Sequence, residues 1–133
     1  LDPVPDTLRT LADRIAEGLL AVMDDAPAAL RFLHGDLIAD NILWTPEPIL
    51  VDWEFWRTGD PAEDLAYLAV VNGLPDEALA AVLTGYDADD VARRVGAWRP
   101  ATALDAGLWY LRQRQTEPGE RLVALARRLM DDA

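Results

Sequence analysis

The chain has 133 residues, 51% of them hydrophobic, and its 24 acidic and 12 basic side chains give a net charge of −12. That is enough chain for one compact domain; its acidity disfavours nucleic acid and anionic lipid as partners, and no uninterrupted apolar run nears the ~20 residues that cross a bilayer. Absence of cysteine excludes disulfides and thiolate metal sites, and without a basic-then-apolar leader the expected setting is soluble and cytoplasmic.

The first element runs from about Asp6 to Asp24, where Leu8, Leu11, Ile15, Leu19 and Val22 recur at three- and four-residue spacings. This predicts an amphipathic helix with Asp6 as N-cap and Pro27 as its stop. Between Arg31 and Thr58 the texture changes. Asn41-Ile42-Leu43-Trp44 and Ile49-Leu50-Val51 flank Thr45-Pro46-Glu47-Pro48, whose prolines favour a turn, so a small β-hairpin is expected within 37–54.

At Gly59-Asp60-Pro61-Ala62-Glu63 a helix should begin, with Asp60 as N-cap, Pro61 at the first helical position and Glu63 reaching back as a capping-box acid. Leu65, Leu68 and Ala69 would face inward, and Asn72-Gly73 would end the helix. Further helices are expected at about 76–84, 88–98, 101–115 and 118–131, separated by Gly85, Pro100 and Glu117-Pro118-Gly119. Leu104, Leu108, Leu111 and Leu122, Leu125, Leu129 supply their buried faces. The expected fold class is mainly α with one small β-hairpin (α+β), as a single domain over residues 1–133.

On that map His34, Asp36 and Asn41 lie on the loop entering the hairpin and Asp52 on the loop leaving it. A hairpin joins its own ends, so two carboxylates and one amide oxygen would converge. Such hard oxygen ligands suit Mg²⁺, which takes one or two carboxylates and completes its shell with water and phosphate. Ordinary turn chemistry is the alternative use of Asp36 and Asn41.

HGDLIADN at 34–41, VDWE at 51–54 and GDPAEDLAYL at 59–68 together resemble the catalytic loop, metal loop and following helix of the aminoglycoside phosphotransferase family, small-molecule kinases of the protein-kinase-like fold. The five-residue step from Asp36 to Asn41, then a second aspartate, follows the general phosphoryl-transfer pattern. The resemblance implies that Asp36 is catalytic, orienting the substrate hydroxyl and accepting its proton, and that Asn41 and Asp52 hold Mg²⁺ on the phosphates of ATP. It leaves His34 either a packing and hydrogen-bonding role that holds the loop or a part in proton transfer. Asp64 is either a solvated helix residue or a brace for the catalytic loop, Asp60 an N-cap, and Glu54 a third metal contact or part of the loop. Trp44, Trp53 and Trp56 would line a substrate pocket or, by default, pack in the core.

The same resemblance implies a glycine-rich loop and a lysine contacting the phosphates, both on an N-terminal β-rich lobe. All twelve bases here are arginine, and there is no GxGxxG or GxxxxGK[ST]. The expectation is therefore a kinase-like C-lobe, inactive alone, whose nucleotide-binding N-lobe belongs to a longer polypeptide, is lost by cleavage or is absent from the natural protein; the start Leu1-Asp2-Pro3, without methionine, leaves a longer polypeptide or a processed product open. The face toward that lobe should expose an apolar patch, covered by the N-lobe or by a dimer partner. The acidic balance and tryptophans suit a cationic alcohol, such as an aminoglycoside or choline, as the hydroxyl substrate. A non-catalytic kinase-like binding domain is the alternative, although such a domain typically loses one of the three residues that are all present here. A metal-dependent phosphohydrolase would ordinarily need more than one histidine.

Overall fold

A computed structural model describes residues 4–25, 28–86 and 89–133. Its elements are α1 (Asp6–Asp25), β1 (Arg31–Leu33), a 3₁₀ turn (Ala39–Asn41), β2 (Ile42–Leu43), β3 (Ile49–Leu50), β4 (Arg57–Gly59), α2 (Pro61–Val71), α3 (Asp76–Tyr86), α4 (Asp89–Arg112) and α5 (Thr116–Asp131). Pro27, and the start Leu1-Asp2-Pro3, lie outside the described residues.

Helix α4 is the axis, packing against α1, α2 and α5. One apolar cluster joins Leu11 and Ile15 of α1, Val70 of α2, Ala103, Leu104 and Ala106 of α4, and Leu122 and Ala126 of α5. A second joins Ala62, Leu65, Ala66 and Ala69 of α2 to Leu79 of α3 and Val91 and Val95 of α4. Helix α2 contributes to both, so it stands between the helical core and the loops that precede it. Among the described residues no helix is long and apolar enough to cross a membrane.

The expected hairpin is present: β2 pairs antiparallel with β3 in the register Ile42↔Leu50 and Leu43↔Ile49. It is nested inside a second pairing that the sequence reading lacked, β1 with β4, in the register Arg31↔Gly59, Phe32↔Thr58 and Leu33↔Arg57. Strands of three residues carry too little alternation to register as period-two patterns, and the pairing closes over the whole intervening stretch of residues 34–56.

Pro100 does not separate two helices. Helix α4 runs through it, with Pro100 itself buried. The carbonyl left without a donor is that of Gly96, an exposed residue open to water, and packing on both sides outweighs the intrinsic penalty of the proline. Glu117-Pro118-Gly119, read as a breaker, forms the first turn of α5, where the N–H that proline lacks has no helical partner anyway. Gly85 likewise lies inside α3. Asp6 is the first residue of α1 rather than its cap; the Pro5 carbonyl receives the N–H groups of Leu8 and Arg9. Leu108, assigned to a buried face, is exposed.

Candidate active site

The β1–β4 ladder forms a neck from which residues 34–56 project. Gly35 sits at its mouth with φ +85°, a conformation that L side chains rarely adopt, and a Cβ there would collide with the Phe55 carbonyl oxygen. Glycine is thus required twice over in the HGD segment, by dihedral angle and by space.

Inside the neck four residues close a ring of hydrogen bonds. The Asp36 N–H donates to Nδ1 of His34 (3.2 Å), and Nε2 of His34 lies 2.7 Å from the Val51 carbonyl. The Val51 N–H donates to the Asn41 carbonyl (3.0 Å), and Asn41 Nδ2 donates to the Asp36 carbonyl (2.9 Å) and to Asp36 Oδ2 (3.2 Å). A carbonyl only accepts, so the His34 proton resides on Nε2 and the neutral tautomer is set by its two partners. His34 is 2% exposed, and its imidazole centroid rests 4.6 Å from the ring centroid of Trp53. Both His34 nitrogens are therefore committed to backbone, which is the loop-holding one of its two expected roles.

The same reasoning orients Asn41. Both partners of its Nδ2 are acceptors, so the amide nitrogen must face Asp36 and Oδ1 is left available to a cation. Asp52, adjacent to Val51 in the ring, is exposed and has φ +60°, unusual for a residue other than glycine and a conformation aspartate tolerates better than most. The structure thus brings His34, Asp36 and Asn41 into direct contact and sets Asp52 one residue beyond the ring. Among the described residues no three His, Cys, Asp or Glu side chains cluster as a metal cage. The oxygens of Asn41 and Asp52 would suit an ion that keeps waters and phosphates in its shell.

Helix α2 holds the entering loop from outside. Asp64 accepts the N–H groups of His34 (2.6 Å) and Gly35 (3.0 Å), so of its two expected roles the bracing one is observed. Tyr67 donates its hydroxyl to Asp36 Oδ1 (2.8 Å). Asn72 accepts the Ala39 N–H (2.7 Å) and donates to the Leu37 carbonyl (2.8 Å). Burial first, and then the bond to Asp36, push the Tyr67 phenol above its ordinary pKa, so it remains a donor. Neither Tyr67 nor Asn72 was identified from sequence. The available signal was polar residues on one face of an otherwise apolar helix.

Asp60 caps α2 through the Ala62 N–H (3.0 Å) and also receives Arg94 Nε and Trp98 Nε1, each at 2.9 Å. The capping box does not form, because the Glu63 carboxylate pairs with Arg57 of β4 instead. Glu54 is exposed on the turn before β4. Trp44, Trp53 and Trp56 are not core residues: all three are exposed, and Trp56 stacks on exposed Phe32 with centroids 5.3 Å apart. Nine of the large exposed hydrophobic residues fall between Leu30 and Trp56, the apolar face anticipated around the hairpin.

Helices that frame a nested hairpin, with the HGD segment, Asn41 and Asp52 at its ends, have the architecture of the protein-kinase-like fold. The profile of the phosphotransferase enzyme family matches residues 2–104, and the chain belongs to that family. It is 36% identical over 111 residues to viomycin phosphotransferase of Streptomyces vinaceus, an alignment covering 77% of this chain and 38% of that protein. Choline kinase LicA of Streptococcus pneumoniae superposes with a TM-score of 0.84 at 17% identity, over 100% of this chain and 51% of that one. The aminoglycoside phosphotransferase APH(4)-Ia, as a thermostable mutant, gives 0.75 at 16% identity, over 97% and 46%. The chain thus spans about half the length of these solved relatives, and less of the curated one.

Proposed function

We propose that the chain is the substrate- and metal-binding lobe of an ATP-dependent phosphotransferase that transfers the γ-phosphoryl group to a hydroxyl of a cationic small molecule. The observation that carries this reading is the two-sided grip on Asp36, whose Oδ1 is held by Tyr67 and Oδ2 by Asn41 while the residue stays partly open to solvent. A carboxylate immobilised in this way can point one lone pair at an incoming hydroxyl. As the hydroxyl oxygen bonds to the γ-phosphorus, the bond to the bridging oxygen breaks, ADP leaves, and the hydroxyl proton passes to Asp36. His34 takes no part in that transfer, since both ring nitrogens are occupied by backbone groups.

Asn41 Oδ1 and the Asp52 carboxylate would hold Mg²⁺, which would supply positive charge to offset that building on the nucleotide phosphates. The glycine-rich loop and phosphate-contacting lysine have no counterpart in these 133 residues. A β-rich lobe of the same polypeptide would supply both and cover the exposed face around Phe32 and Trp56. A net charge of −12 favours a cationic acceptor, and dependence on ATP fits a cytoplasmic enzyme.

The test is transfer of label from [γ-³²P]ATP with Mg²⁺ by the complete enzyme to viomycin and choline, suggested by the relatives' names, and to hygromycin B, which is bound with ADP in a structure of APH(4)-Ia. Label on at least one of them, lost in Asp36→Asn, is the expected result. An Asp36→Asn enzyme that transfers as fast as wild type would overturn the reading.

A further inference from the structure

Two polar side chains of α2 and that of Asn72, which caps its C-terminus, take hold of the loop in sequence order. Asp64 binds the backbone N–H groups of residues 34 and 35, Tyr67 the side chain of residue 36, and Asn72 the backbone of residues 37 and 39. Asp64 and Tyr67 are three residues apart and Asn72 lies one turn beyond Leu68, whose carbonyl it also binds, so the three project from neighbouring turns toward the loop. Two of the three act on backbone. Only Tyr67 reaches a functional group.

We infer that Tyr67 is a positioning residue for the proposed phosphoryl transfer, fixing the rotation of the Asp36 carboxylate through the bond to Oδ1. The inference rests on the reading of Asp36 as the group that accepts the substrate proton. A carboxylate turns about its Cβ–Cγ bond unless both oxygens are held, and Asn41 alone holds only Oδ2. With the phenol present, the plane of the carboxylate is set by two donors arriving from different elements, α2 on one side and the end of the 3₁₀ turn on the other. Half-buried Tyr67 packs its ring against the main apolar cluster, so the hydroxyl is delivered by a rigid stem. Without the hydroxyl, the ring and its packing remain but Oδ1 loses its protein donor and turns to water. The lone pair that should face the substrate is then correctly aimed for only part of the time, a loss that falls on turnover more than on substrate binding.

The experiment compares wild type, Tyr67→Phe, Asp36→Ala and the double variant in the complete enzyme, using whichever of viomycin, hygromycin B or choline the wild type phosphorylates. Tyr67→Phe should lower kcat about ten- to a hundredfold with KM changed by less than about threefold, and its thermal midpoint should stay near that of wild type. In the Asp36→Ala background the same substitution should cost no further turnover, because the group it acts through is gone. A purely structural role would give additive losses and move KM and the midpoint together. Tyr67→Phe with wild-type kcat, or an undiminished effect in the Asp36→Ala background, overturns the inference. Asp36→Ala with wild-type kcat defeats the underlying reading of Asp36 instead, so the two failures are told apart.

Discussion

Arg94 and Asp60 meet 2.9 Å apart with side chains only 1% and 2% exposed, and the pair ties the residue that opens α2 to the second turn of α4. Asp60 has three further claims on it, as the cap of α2, as the acceptor from Trp98 and as the successor to β4. Truncating Arg94 would strand its carboxylate in the interior, and breaking a buried pair by removing one partner typically costs ~3–5 kcal/mol. Arg94→Ala should lower the urea midpoint by a corresponding amount. A loss under ~1 kcal/mol would show that water reaches the site once the arginine is gone.

Two glycines with positive φ provide a controlled comparison. Gly35 faces the Phe55 carbonyl, whereas Gly73 at the end of α2 has open space around its missing Cβ. Gly73→Ala should cost only the dihedral penalty, ~1–2 kcal/mol. Gly35→Ala must also push the chain at Phe55 aside, so it should be the more destabilising and should impair turnover as well. Denaturant melts of both variants, with kcat for the complete enzyme, check the order.

Asp36→Asn keeps the shape of the side chain while removing its capacity to take up a proton. It should lower kcat by roughly 10²–10⁴ with little change in nucleotide affinity. Asp52→Asn removes a charge from the proposed cation site, so Mg²⁺-nucleotide Kd should rise along with the loss of turnover. Measuring both constants for both variants separates the assignments; equal, mild effects throughout would reject them.

The Glu63 carboxyl lies above its ordinary range because burial outweighs the opposing charge and hydrogen bond of Arg57. A proton therefore binds the folded chain more tightly than the unfolded one. This group adds stability below the ordinary glutamate pKa, and that contribution is lost as pH rises through the raised value. Thermal melts of wild type and Glu63→Gln between about pH 4 and 7 should show the variant gaining on wild type as the pH goes up.

The exposed residues between Leu30 and Trp56 should make the 133-residue chain self-associate when expressed alone. Sedimentation velocity should show the average mass rising with concentration, and Phe32→Ser with Trp56→Ser should suppress the rise. Strict monomers at high concentration would contradict this.

Much of this arrangement was legible in the residues themselves. The stripe on α1, the cap at Asp60, the hairpin around the two prolines and the Asp36 to Asn41 step each rest on local chemistry, and each has its counterpart in the structure. What sequence reasoning lacked depends on partners distant in the chain. Pro100 looked like a stop because the packing that carries α4 through it comes from α1, α2 and α5. Glu63 looked like a capping acid because nothing nearby announced Arg57 as a neighbour across the β1–β4 neck. The tryptophans looked like core because composition cannot say which face a side chain will take. Tyr67 received no role from the sequence, since only the folded loop reveals what its hydroxyl meets.

The nesting of one strand pair inside the other also bears on how such a protein can change. Chain enters and leaves the 34–56 excursion through a single doorway, clasped by β1 and β4, and the far tip at Thr45 to Pro48 lies beyond the inner pair. Residues added or deleted at that tip would alter the outer surface without shifting the register of Leu33 against Arg57 or the ring that holds Asp36. Evolution, or a protein engineer, can therefore graft new recognition surface there while the groups near the doorway keep their spacing.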